Sequence, residues 1–283
     1  MKLDSLRPNG LAPARSTRTG RQNPPALVPF DWHATVRMML DLHRLVMLVG
    51  PPGCGKTQYV RAECFRRDGH EPELFQGTPE SELGQLWGFF SLRGSQTEFC
   101  PGPLMRALQD DRALVVEEFN LVPWEVRASL LCLRGQDAVT NPFTAETIPV
   151  GPSFRLVATS NPESLACRRT GGIAQAMLDD FLVLEVPPLQ ALQVEVLLER
   201  EFPDSSESRR AKVVGLWSEY RELAASDRSD AAPALGYRAA RHLMMLLEAG
   251  MEYAQAVRVA LVHKFVLDPD THEAAKIKAA FDG

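Results

Sequence analysis

The 283 residues contain no uninterrupted apolar stretch near the ~20 residues of a membrane span. The N-terminus lacks the apolar core of a secretory signal. The five cysteines (Cys54, Cys64, Cys100, Cys132, Cys167) are odd in number and form no C-x-x-C pair. That speaks against a disulfide frame or a zinc site and suits a reducing cytoplasm. None of the six histidines stands at ligand spacing from a carboxylate or cysteine, so they read as surface or core residues. A net positive charge is also missing. The formal balance of −5 gives no bulk attraction to nucleic acid or anionic membrane and leaves room only for a local basic patch. Such a patch exists in residues 1–30, where Lys2, Arg7, Arg15, Arg18 and Arg21 face a single Asp4. Pro8, Pro13, Pro24 and Pro25 argue against the amphipathic helix of a transit peptide, so a mobile basic arm is the better reading. With 45% apolar and 24% charged residues, the rest has the composition of an ordinary soluble globular protein.

What the chain does hold is an apolar run, Leu45 to Val49, that ends in Gly50-Pro51-Pro52-Gly53-Cys54-Gly55-Lys56-Thr57, with Gln58 next. This is G-x-x-x-x-G-K-T, and each residue type in it has a physical task. The glycines allow a tight turn whose successive N–H groups point at phosphate oxygens. Lys56 reaches the β and γ phosphates as a compact positive charge, and the Thr57 hydroxyl is a hard oxygen suited to Mg²⁺. Residues 56–67 follow without proline or glycine, as a helix should, and its N-terminus adds a positive dipole end to the site. The chain therefore reads as a nucleotide-binding protein.

Upstream, residues 31–42 read as a helix with Asp31 as its N-cap. Downstream, a short strand at 73–75 precedes a helix start near Leu83, and 87–103 mix aromatics, glycines and prolines as a loop or small hairpin. Residues 104–108 resume helix. The strand 113–118 is apolar until it meets Glu117 and Glu118, and in an open α/β sheet ligands lie off the carboxyl ends of strands. Both acids thus point towards the phosphate site, unless they form a solvated turn. Residues 124–134 have the spacing of an amphipathic helix, 138–150 of a β-hairpin around Asn141-Pro142, and 154–159 of a fourth strand. Asn161, in the Ser160-Asn161-Pro162 turn after it, either orients a water near the γ-phosphate or simply makes the turn. A polar loop with Arg168 and Arg169, a short helix at 174–180 and a fifth strand at 181–186 lead to Pro187-Pro188. The alternation of strand and helix makes the sheet largely parallel. Beyond it, 189–202, 211–225, 236–247, 252–266 and 271–281 have helical periodicity only. The expected organisation is an arm (1–30), an α/β nucleotide-binding domain (31–187) and a C-terminal helical domain (188–283).

Together these residues resemble the AAA+ ATPases, and among them the MoxR-like, dynein-related branch that includes the CbbQ and NorQ activators. The similarity runs from about Asp31 to Leu247. Gly50 to Thr57 is similar to the family's Walker A motif. Glu117-Glu118-Phe119-Asn120 looks like its Walker B "DE-x-N", and Thr159-Ser160-Asn161-Pro162 like its sensor 1 "T-x-N-P". Phe99 to Leu104 resembles the insert in the second helix, often near a central pore. Leu235-Gly236-Tyr237-Arg238 looks like the sensor 2 region, in which Arg238 would reach the γ-phosphate. The fold implied is a P-loop AAA+ three-layer sandwich on a mainly parallel five-stranded sheet, with a small all-α lid.

Two positions depart from the family pattern. Glu117 stands where an Asp usually helps to hold the Mg²⁺ shell. Asp180, in Leu178-Asp179-Asp180-Phe181, stands where "L-x-R-F" supplies an arginine finger to the neighbouring subunit. Arg168 or Arg169 would substitute, or belong to a solvated loop.

The resemblance implies an ATP- and Mg²⁺-dependent ATPase. Lys56 and Thr57 hold the phosphates, Thr57 and Glu117 the metal, Glu118 polarises the attacking water, and Asn161 helps to place it. It also implies a cytoplasmic homo-oligomer, a hexameric ring acting as a chaperone or remodeller of a protein client, with a von Willebrand factor A-type partner. A second reading, motivated by Glu117 and Asp180, is a nucleotide-gated assembly module with slow or absent hydrolysis. A third, supported only by the basic arm, is a nucleic-acid-dependent ATPase, for which DNA or RNA would have to stimulate turnover.

Overall fold

The computed structural model describes residues 28–161, 173, 175–226 and 236–262. In chain order the first elements are α1 (Asp31–Leu42), β1 (Leu45–Val49), α2 (Lys56–Asp68), β2 (Glu73–Gln76), α3 (Leu83–Trp87), β3 (Gly88–Arg93) and β4 (Gln96–Pro101). Then come α4 (Pro103–Gln109), β5 (Leu114–Glu117), α5 (Trp124–Leu130), β6 (Ala138–Thr140), β7 (Thr147–Pro149) and β8 (Leu156–Ser160). The last are α6 (Gln175–Leu178), β9 (Leu182–Glu185), α7 (Ala191–Glu201), α8 (Glu207–Ser226), α9 (Tyr237–Glu248) and α10 (Tyr253–Val257), the last running into a π-helical turn, Arg258–Val262.

Five strands form one sheet in the order β2-β5-β8-β1-β9, and every pairing is parallel. A parallel sheet must be covered on both faces, which is why its strands are apolar throughout rather than alternating. Period-2 geometry then sends neighbouring side chains into two different cores. Val46, Leu48, Val115 and Val157 enter one, with α1, α2 and the helices after Pro188. Leu45, Met47, Leu114, Val116, Leu156 and Ala158 enter the other, with α3, α4 and α5. This is a three-layer sandwich, helices on both sides of a parallel five-stranded sheet, followed by a helical C-terminal region.

The two small antiparallel pairs, β3–β4 and β6–β7, lie outside this sheet. The first places a regular hairpin where the sequence allowed a loop. Trp32, His33, Val36, Met39 and Leu40 are the buried stripe of α1, and Trp32 and His33 pack against Tyr59 of α2. The N-cap of α1 is Phe30 rather than Asp31, which instead places its carboxylate in the first turn. The single helix expected over 124–134 is α-helical only to Leu130, then tightens into a 3-10 turn, Leu131–Leu133, before Gly135 at φ 58°. The helix expected over 271–281 and almost all of the basic arm lie outside the described residues. No described helix is long and apolar enough to cross a membrane.

Candidate functional site

β1, β8 and β5 are neighbours in the sheet, so the segments leaving their carboxyl ends emerge side by side, roughly 5 Å apart. These are the glycine-rich loop after Val49, the Ser160-Asn161 turn and the Glu117-Glu118 pair. The base of the loop is locked between flanking strands. Gly50 N–H donates to Ser160 O at 3.2 Å, Val186 N–H donates to Val49 O at 2.7 Å, and a Cβ on Gly50 would collide with the Val186 carbonyl.

The loop turns through left-handed backbone at Gly53 (φ 75°) and Gly55 (φ 93°), and Gly55 is the N-cap of α2. Lys56, only 9% exposed, donates from Nζ to Gly50 O at 2.7 Å and to Pro51 O at 2.8 Å, with Cys54 Sγ at 3.7 Å. The ammonium is thus held inside the curve of its own loop. Cys54 is buried, its Sγ on Pro51 O at 3.1 Å; Thr57 is half-buried and Gln58 exposed on the first turn of α2. Left-handed glycines, a helix N-terminus and an enclosed lysine are what a polyphosphate needs. The Thr57 hydroxyl and Glu117 carboxylate are oxygen donors of the kind Mg²⁺ takes when phosphates complete its shell. Among the described residues no cluster of three or more His, Cys, Asp or Glu could hold a metal by itself.

Glu118 has φ 49° and ψ 47°, left-handed backbone on a residue with a Cβ. Such a conformation costs about 1–2 kcal/mol and turns the chain sharply off β5. Phe119, immediately after it, is buried against Phe181. Asn120 is fully buried, and its Oδ1 accepts from Ser160 Oγ and from Asn161 N–H, both at 3.1 Å. It therefore fixes the turn carrying Asn161 to the segment carrying Glu118. Gly77, after β2, donates its N–H to Glu117 O at 2.8 Å, and a Cβ there would meet the carbonyls of Glu117 and Glu118 at 2.7 Å. Sequence reasoning gave neither residue a role. Asn120 was legible as the last letter of "DE-x-N", and Gly77 as a glycine directly after a strand.

Burial holds the Glu117 carboxyl above its ordinary 4.5; Arg61 opposes the shift, the neighbouring Glu118 adds to it, and Arg238 opposes it. A carboxyl raised on folding binds more protons folded than unfolded between 4.5 and its raised value, so stability falls as pH rises through that window. Glu117→Gln should therefore melt at a higher temperature than wild type at pH 7. The gap should close below 4.5; thermal melts across pH check this, and a variant that melts lower at pH 7 would contradict it.

The helical region reaches the same site. A Cβ on Gly53 would lie 2.9 Å from Gly236 Cα and 3.2 Å from Tyr237 N, and one on Gly236 would lie 2.5 Å from Pro52 O. Gly236 is the N-cap of α9, so this helix begins directly on the phosphate loop. Arg238, in its first turn, is exposed and close enough for its charge to act on Glu117. Arg168 and Arg169 lie outside the described residues. Asp180 is not near the loop; it pairs with Arg134 at the amino ends of the strands.

Residues 45–180 match the family model of the AAA domain, dynein-related subfamily. Protein NorQ of Paracoccus denitrificans is 26% identical over 238 residues, which span 83% of this chain and 85% of NorQ. An uncharacterized protein of Staphylococcus saprophyticus is 27% identical over 159 residues, 52% of this chain; the chain spans 57% of that relative's length. Among solved structures, NtrX of Brucella abortus aligns with a TM-score of 0.49 at 16% identity, covering 84% of this chain and 50% of NtrX. NtrX in complex with ATP aligns at 0.46 and 16%, covering 89% and 55%.

Proposed function

We infer that this chain, whose residues 45–180 match the AAA domain of the dynein-related subfamily, binds ATP with Mg²⁺ and hydrolyses it to drive remodelling of a partner protein. The observation that carries the reading is the left-handed Glu118 at the end of β5, beside the Lys56 loop and tied through Asn120 to Asn161. The loop amides and Lys56 bind the phosphates, and Glu118 takes the proton of an attacking water that Asn161 helps to place. Arg238, brought in by α9, reads the terminal phosphate. Mg²⁺ held by Thr57 and Glu117 would neutralise charge on the phosphate oxygens.

A homo-oligomeric ring, six copies in the leading reading, turns this cycle into motion. Phe89, Phe90 and Leu92 of the β3–β4 hairpin are 58%, 54% and 75% exposed, an apolar surface suited to a polypeptide client or to a von Willebrand factor A-type partner. Phosphate release from ATP by the full chain is the expected result, abolished by EDTA and by Lys56→Ala. Release that is insensitive to both would reject the reading. The assembly-module reading is favoured by the raised Glu117 carboxyl and by Asp180 being tied to Arg134.

A further inference from the structure

Glu201 is the last residue of α7, and its carboxylate holds two side chains of α9. Oε2 accepts from the Tyr237 hydroxyl at 2.5 Å, and Oε1 pairs with Nε of Arg241. Tyr237 and Arg241 are one helical turn apart, so a single carboxylate grips one face of the helix where it begins. Burial, the hydrogen bond to Glu201 and the charge of Glu201 hold the Tyr237 phenol above its ordinary 10.0, which keeps it a donor. The helix that carries Glu201 is itself fixed. Val194 and Leu198 of α7 are fully buried in the core that Val46, Leu48 and Val115 of the sheet also enter.

Stability is a poor reason for this clamp. The Glu201 and Arg241 side chains are 36% and 40% exposed, and ion pairs so exposed contribute little. Position is a better reason. The first turn of a helix has N–H groups without partners inside the helix, so it depends on its surroundings to stay in place. Gly236, the N-cap of α9, has no side chain to help, and its backbone lies against Pro52 and Gly53 of the phosphate loop. Arg238 follows Tyr237 directly, so whatever fixes Tyr237 also fixes where Arg238 leaves the helix. A second ion pair of similar exposure, Arg209–Glu248 at 2.8 Å, holds the opposite end of α9.

We propose that Glu201 is a positioning residue for the phosphate site: through Tyr237 and Arg241 it sets the first turn of α9, and with it Arg238, over the loop. The inference rests on the reading of Arg238 as the group that meets the terminal phosphate, and deepens it. Without the carboxylate the first turn shifts and Arg238 swings off that phosphate. The loop amides and Lys56 still hold the phosphates that ATP and ADP share. Glu201 therefore governs how well the site tells ATP from ADP.

The test measures Mg·ATP and Mg·ADP affinities of the full chain by calorimetry, beside turnover. Glu201→Ala should weaken ATP binding about tenfold, the loss of one charged hydrogen bond, and leave ADP within about twofold. Turnover should fall roughly 10²-fold, the cost of an ångström's displacement at a reacting centre. Glu201→Gln, which keeps an oxygen for the Tyr237 hydroxyl, should recover most of both. The cycle with Arg238→Ala is the discriminating readout. On that background Glu201→Ala should lower neither the ATP preference nor turnover further, because residues that act through one another are not additive. Glu248→Ala, which breaks the matched pair at the far end of α9, should keep the wild-type preference.

An unchanged preference in Glu201→Ala, an additive loss in the double variant, or the same loss in Glu248→Ala would each overturn the proposal. Equal weakening of ATP and ADP with a lower melting temperature would do so as well, because Glu201 would then only hold the helices together. If wild type binds both nucleotides without turnover, the hydrolysis reading falls, and the ATP preference alone decides for or against Glu201. If wild type does not prefer ATP, the role of Arg238 is rejected and the proposal with it.

Discussion

Glu118→Gln is expected to slow steady-state ATP turnover by roughly 10²–10⁴-fold, the usual contribution of a positioned general base. The substitution keeps length and shape and removes only the ability to accept a proton. Glu118 sits in left-handed backbone (φ 49°, ψ 47°) that glutamine adopts at the same cost, so the turn into Phe119 and Asn120 is retained. Gly50 to Lys56 are untouched, and the affinity for Mg·ATP should change little. Trapped ATP, tight binding and negligible phosphate release form the expected triad. A wild type no faster than this variant, with both binding ATP, would replace the motor with the assembly module.

The contact between Gly53 and Gly236 should yield the second large effect. Gly236 has φ −76° and ψ 174°, allowed for any residue, so Gly236→Ala adds no backbone strain. Its Cβ nevertheless lands 2.5 Å from Pro52 O and 2.9 Å from Gly53 Cα, both backbone atoms of the phosphate loop. Either the loop shifts or α9 lifts away, and Arg238 goes with it. Displacement by an ångström at a reacting centre costs about 10²-fold in rate. Gly236→Ala should therefore lose turnover on that scale with a small change in melting temperature. Gly53→Ala should lose both, since φ 75° adds about 1–2 kcal/mol of strain to the same collision. Gly69→Ala is the control: its φ is 71°, but nothing lies within 4 Å of the added Cβ, so stability should fall and turnover persist. Unchanged turnover in Gly236→Ala would show that α9 need not sit on the loop.

The parts of this site legible in the sequence are those in which local chemistry and long-range packing agree. An apolar run ending in glycines, lysine and threonine can be placed on strand, loop and helix without knowing the rest of the chain. The same holds for β5, buried until it meets Glu117, and for the alternation that makes the sheet parallel. What escaped depends on pairs far apart in the chain. Nothing near Gly53 announces that Gly236 will touch it, and a lone aspartate at 180 does not name Arg134 as its partner. Asn120 closes the Glu117-Glu118-Phe119-Asn120 motif, but only the fold shows its Oδ1 bridging to Ser160 and Asn161. The end of α5 is not legible in the sequence because the apolar spacing of Leu130, Leu131 and Leu133 suits a 3-10 turn as well as an α-helix.

The most direct measurement is a calorimetric titration of the full chain with Mg·ATP, run beside Lys56→Ala. Saturable binding by wild type is expected, weakened at least about tenfold when the ammonium held by Gly50 O and Pro51 O is removed. A flat titration for wild type, or identical isotherms for the two proteins, would contradict the claim that this loop grips a nucleotide.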